Sequence, residues 1–126
     1  VEVIMGLERI TVDIASNAAG DTVTAYTRIP ITGKILAVFY DFGDLAANLD
    51  LAITGETTGI PILAYTNIPA ADKWFYPRAL PNLNTAGATV GVDAFVEIPV
   101  VDERIKIVAA QPGTSKAGAF TIFYER

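Results

Sequence analysis

Residues 8–14 read ERITVDI, with Ile10, Val12 and Ile14 alternating with Arg9, Thr11 and Asp13. Drawn out as an extended chain, the segment is apolar on one face and polar on the other, the pattern of a half-buried β-strand. The same period runs on through the sequence. Residues 22–29 put Val23, Ala25, Thr27 and Ile29 on one side, before Pro30 and Gly33 break the run. Residues 34–41, KILAVFYD, are apolar on both sides, as a central sandwich strand would be. Leu49, Leu51 and Ile53 alternate, and residues 60–68 form a further strand around Leu63 and Tyr65. Pro61 and Pro69 near its ends, and Pro77 within the aromatic run 74–80, mark both segments as edges. Residues 94–101 and 104–110 follow, the latter with Ile105 and Ile107 inward, and residues 116–126 close the chain with Phe120, Ile122 and Tyr124 on one face.

Turn formers separate these runs at SNAAGD (16–21), GETTG (55–59) and residues 111–115. Residues 41–48 and 69–73 are loops with room for one helical turn, and residues 82–93 are the longest weakly patterned stretch. No segment carries the i, i+3, i+4 pattern needed for the helical crossovers of a parallel sheet. About eight or nine short strands at roughly ten-residue spacing predict an all-β, single-domain β-sandwich over residues 1–126, jelly-roll-like, with an open Greek key as the alternative. Met5 reads as a translation start, which makes the first four residues an extension, and residues 1–7 are expected to form a flexible N-terminal extension; they lack the basic start of a signal peptide.

The composition narrows the chemistry. The 126 residues hold 9 Lys and Arg against 14 Asp and Glu, a net charge of −5. An acidic chain with its cations scattered singly is not built to bind nucleic acid or an anionic membrane. No apolar run is long enough to form a membrane-spanning helix. With no cysteine and no histidine, thiolate or imidazole metal sites and the usual nucleophile–base pairs are excluded. Both serines, Ser16 and Ser115, lie in turn-like sequence. The expectation is a binding protein that is not an enzyme and carries no cofactor. Charged residues make up only 18%, below the usual quarter, so apolar surface is left over for a protein partner or a second copy.

Trp74, Tyr76 and the adjacent Arg78 stand out as candidate contact residues, since Trp, Tyr and Arg dominate the energetics of protein interfaces. Core packing and a sugar-stacking platform are the other readings of the two rings. Asp41, Asp44, Asn48 and Asp50 supply oxygens within ten residues, but turn formation explains them better than calcium, so no metal site is assigned. Glu97 and Glu103 flank apolar strands and are expected to face solvent.

Several segments resemble the small head-associated, capsid decoration or cement proteins of tailed bacteriophages. They are ERITVDI (8–14), GKILAVFYDF (33–42), LAITGETTG (51–59), Thr66-Asn67, the Trp74, Pro77, Arg78 element, DERIKIVAAQPG (102–113) and KAGAFTI (116–122). The likeness runs through most of the chain except residues 82–93, and each segment is a strand-and-turn pattern. The resemblance implies a virion structural protein on the outer surface of a phage head. Its partners would be the major capsid protein and further copies of itself, as a homotrimer. The alternative is a carbohydrate- or receptor-binding β-sandwich on a virion, whose signature would be an exposed, coplanar aromatic pair beside carboxylates.

Overall fold

The computed structural model describes residues 6–79 and 95–126, and the expectations for residues 1–5 and 82–93 lie outside the described residues. Nine strands follow one another: β1 (Leu7–Ala15), β2 (Val23–Tyr26), β3 (Ile31–Asp41), β4 (Leu49–Gly55), β5 (Pro61–Ile68), β6 (Lys73–Phe75), β7 (Ile98–Glu103), β8 (Ile105–Ala110) and β9 (Ala117–Glu125). Among the described residues there is no helical turn. β1 starts at Leu7, inside the segment read as an extension.

The strands form two antiparallel sheets. One has the order β1-β9-β3-β6, with β7 also paired to β3, and the other has the order β2-β8-β4-β5. β1 pairs with β9, β2 with β8, β3 with β6 and β7, and β4 with β5. A long antiparallel ribbon rolled on itself has this nesting, so the sandwich is a jelly roll whose sixth strand is split into β6 and β7. The alternation seen in the sequence builds the core. Ile10, Val12, Ile14, Ile35, Leu51, Ile53, Ile105, Ile107, Phe120 and Ile122 all point between the sheets. At the β5–β6 side, Phe75 meets Tyr65 with ring centroids 5.4 Å apart, and the Lys73 ammonium lies 5.7 Å from each ring.

Of the boundaries that differ from expectation, those at Gly33 and Thr27 have a visible cause, while β6 is shorter than the aromatic run 74–80 and β7 ends at Glu103 rather than at residue 101. Gly33 does not break β3. It sits beside a register shift at φ +151, where a Cβ would overlap the carbonyl oxygen of Glu125. β2 stops at Tyr26 because the buried Thr27 hydroxyl donates to Ile29 O (2.8 Å) and accepts from Ile105 N–H (3.0 Å). That local turn takes Ile29 out of the sheet, and it is exposed.

Glu103 does not face solvent; it is 5% exposed. Its Oε1 accepts the Thr57 and Thr58 N–H groups at 2.9 and 3.0 Å, and its Oε2 accepts the Thr58 hydroxyl at 2.8 Å. The carboxylate thereby pins the turn between β4 and β5 to the end of β7. The Thr58 bonds hold its carboxyl below the usual carboxylate range. A group lowered in the folded state stabilises the fold above its unfolded pKa, about 4.3, and loses that contribution as pH falls through the folded value. Stability should therefore decline in acid, and Glu103→Gln should flatten the decline in denaturant titrations run from neutral pH down to about pH 3.

Tyr40 is fully buried and stacked on Phe120, with ring centroids 4.9 Å apart. Its hydroxyl has no hydrogen-bond partner among the described residues, and burial, with the charge of Asp72, pushes it up to about 12. The fold thus favours the neutral phenol, a contribution present below about pH 10 and lost as pH rises through the folded value. Since the unpaired hydroxyl costs free energy where it lies, Tyr40→Phe should raise the unfolding free energy by ~1 kcal/mol, measured by urea denaturation at neutral pH.

Candidate functional site

The outer face of the five-stranded sheet carries the conspicuous apolar surface. On β6, Phe75 turns inward, so the alternation sends Trp74 outward, and Tyr76 just beyond the strand is exposed too. Trp74 pairs with Phe39 on β3, Phe39 with Thr121 on β9, and Thr121 with Thr11 on β1. In the adjacent row, Ala37, Phe123 and Arg9 lie side by side. The Trp74 ring leans on Phe39 at 4.8 Å and on Phe123 at 5.3 Å between centroids. Tyr76 lies 6.4 Å from Trp74 with the ring planes within 13°. Four aromatic rings thus form one patch, buttressed by paired strands. Ala37 is buried although it shares the outer side with Phe123, while Trp74 and Tyr76 remain 48% and 65% exposed.

Polar groups border the patch. The Thr11 and Thr121 hydroxyls lie 3.0 Å apart on its β1 side. Register places Asp13 and Asp41 on either side of Ala119 at one end of the face, and Arg9, Lys34 and Glu125 toward the other. The two ion pairs among the described residues, Arg104–Glu56 and Arg126–Glu8, use none of Arg9, Lys34, Asp13 or Asp41. An aromatic centre within a polar rim on a flat, rigid support is the anatomy of a protein-binding surface.

The three expected contact residues divide. Trp74 and Tyr76 lie together on this face. Arg78 stands beside it with its guanidinium engaged: Nη1 donates to Leu36 O at 2.9 Å and to Pro77 O at 2.7 Å. Leu36 is the bulged residue of β3, at the gap that β6 and β7 leave along that strand's edge. Arg78 closes this gap, next to the Ala79–Val96 bridge, and so acts first as a positioning residue for the chain that carries Tyr76. Arg78→Ala should lower stability by about 1 kcal/mol, the usual worth of one such hydrogen bond, in thermal or urea denaturation. The sequence pattern missed Phe39 and Phe123. The signal for Phe39 was the apolar outer side of residues 34–41, read there as burial on both faces, and that for Phe123 was its place opposite Phe120, Ile122 and Tyr124 in residues 116–126.

The aspartates of the acidic cluster accept backbone N–H groups, Asp41 within its own turn and Asp44 and Asp50 from distant segments. Asp44 Oδ1 accepts Ala117 N–H at 2.7 Å, Asp50 Oδ1 accepts Asn67 N–H at 2.9 Å, and Asp41 Oδ1 accepts Gly43 N–H at 3.3 Å. Among the described residues, no three acidic side chains converge as metal ligands. The class that fold and face define is a jelly-roll sandwich with an outward aromatic patch. No protein-family model matches the chain, and no curated protein matches it in sequence.

Proposed function

We propose that the protein is a virion structural protein that binds the outer surface of a tailed-phage capsid and stabilises the head, as a decoration or cement protein. The observation that carries this reading is the Trp74–Tyr76–Phe39–Phe123 patch, held on paired strands and left open to solvent. Such a patch supplies the desolvated anchors of a protein interface, and Trp74 and Tyr76 are its contact residues. The acidic balance, −5 overall, directs the protein to the outer surface rather than against the genome. The segment-by-segment resemblance to head-associated phage proteins supports the same partner, the major capsid protein. The work is binding rather than catalysis, and self-association multiplies contacts to equivalent capsid subunits. Purified protein added to heads stripped of it should sediment with them and saturate at a fixed ratio to the major capsid protein. Recovery on tails, or no binding to heads, would contradict the reading.

A carbohydrate-binding role is the second reading. It is favoured by the near-parallel exposed rings of Trp74 and Tyr76, on which flat apolar sugar faces stack. Binding on a glycan array, lost in Trp74→Ala and accompanied by no affinity for heads, would put it first.

A further inference from the structure

We propose that the free edge of β1 pairs with β1 of a second copy of this chain, antiparallel and centred on Thr11, to make a two-fold dimer with a continuous sheet. Among the described residues, β1 ends its sheet, and it runs for nine residues in unbroken register with β9. At the two ends of this ladder, Arg126 N–H donates to Gly6 O at 3.2 Å and Ser16 N–H donates to Lys116 O at 2.8 Å. With no bulge between them, the even-numbered residues direct their backbone groups to β9. Leu7, Arg9, Thr11, Asp13 and Ala15 therefore turn theirs to the open edge. That edge has no proline, lysine or bulge to block it, and its charges, Glu8, Arg9 and Asp13, include both signs, so it can serve as a template for a strand of complementary charge.

The occupant follows from charge. Within the protomer, Arg9 stands opposite Phe123 and Asp13 opposite Ala119, so neither has a charged neighbour across the ladder. Antiparallel pairing about Thr11 sets Arg9 against the second copy's Asp13, and Asp13 against its Arg9. Thr11 meets Thr11, and on the inner side Ile10 meets Val12. Registers centred on Arg9 or Asp13 would oppose like charges, and those centred on Ile10 or Val12 would set both charges against uncharged residues. Opposite-charge and Thr–Thr pairs are the favourable cross-strand pairs of a sheet, and main-chain hydrogen bonds of the added strand supply the remaining affinity. A strand complementary to itself in this way selects its own copy as partner, joined by an isologous contact.

The two-fold lies perpendicular to the sheet, so both Trp74–Tyr76 patches stay on the same side. A dimer, rather than the trimer expected from composition and resemblance, would then present two contact surfaces in one direction. The inference rests on the edge alone and does not require the capsid reading, so each can fail without the other.

The test is sedimentation equilibrium of the full chain, up to about 100 µM, with circular dichroism to verify folding. The expected mass is twice that of the 13.4 kDa chain. Arg9→Asp should weaken the dimer at least ~10-fold, Asp13→Arg should do the same, and the double variant should return to within ~3-fold of the parent. Hydrogen exchange at the Leu7, Arg9, Thr11, Asp13 and Ala15 amides should slow as concentration rises. A monomer throughout the range, a mass of three chains, or a dimer indifferent to folded Arg9→Asp and Asp13→Arg variants would overturn the proposal. So would a dimer lost on Trp74→Ala and kept in both charge variants, since the copies would then meet through the aromatic face.

Discussion

Alanine at both Trp74 and Tyr76 is expected to abolish binding to stripped heads while leaving the sandwich folded. Both side chains point away from the core, so truncation opens no internal cavity. Anchoring aromatics at protein interfaces are each worth about 2 kcal/mol or more on truncation, so the pair, if additive, should weaken binding by roughly 1,000-fold. Trp74 should carry the larger share, because Phe39 and Phe123 hold its ring in place while Tyr76 lies at the margin. Cosedimentation of labelled variant with heads across a concentration series reads the loss directly. Retained affinity in a folded double variant would remove this face from the capsid contact.

Gly33→Ala should produce the largest change in stability. At φ +151 only glycine is comfortable, and a Cβ there would overlap the backbone carbonyl of Glu125, which cannot swing aside as a side chain can. β3 and β9 would have to separate where β3 also turns to pair with β7. Backbone strain and overpacking together put the cost at about 2–4 kcal/mol, a fall of roughly 10 °C in Tm. Gly59 provides the contrast. Its φ is +71 but no atom lies within 4 Å of the added Cβ, so alanine there should cost only ~1 kcal/mol. Equal Tm values for the two variants, by differential scanning calorimetry, would contradict this account of the β3–β9 contact.

The period-two pattern was enough to read the jelly roll, because each strand of a two-layer sandwich has a single buried face. Ile10, Val12 and Ile14 on β1 and Phe120, Ile122 and Tyr124 on β9 are inward as their alternation requires. The pattern was less informative where both faces of a strand are apolar. In residues 34–41 it could not tell a second buried face from a half-buried aromatic one, and the outward side of β3 supplies Phe39, one of the four rings of the candidate site. Local sequence was silent where a distant partner decides the outcome. The pinning of Thr57 and Thr58 by Glu103, and of Leu36 by Arg78, joins residues more than 40 positions apart. Gly33 looked like a break because its role, clearance for Glu125, belongs to a strand more than 80 residues further on.

Head stability tests the central claim most directly. A protein that binds only the assembled capsid stabilises the assembled state by mass action. DNA release from purified particles can be followed by dye fluorescence during a temperature ramp, for complete heads, heads depleted of this protein, and depleted heads with the protein restored. The account predicts release at lower temperature from depleted heads, and recovery of the original temperature on adding the parent chain but not the Trp74→Ala, Tyr76→Ala double variant. Identical release temperatures for complete and depleted heads would contradict it.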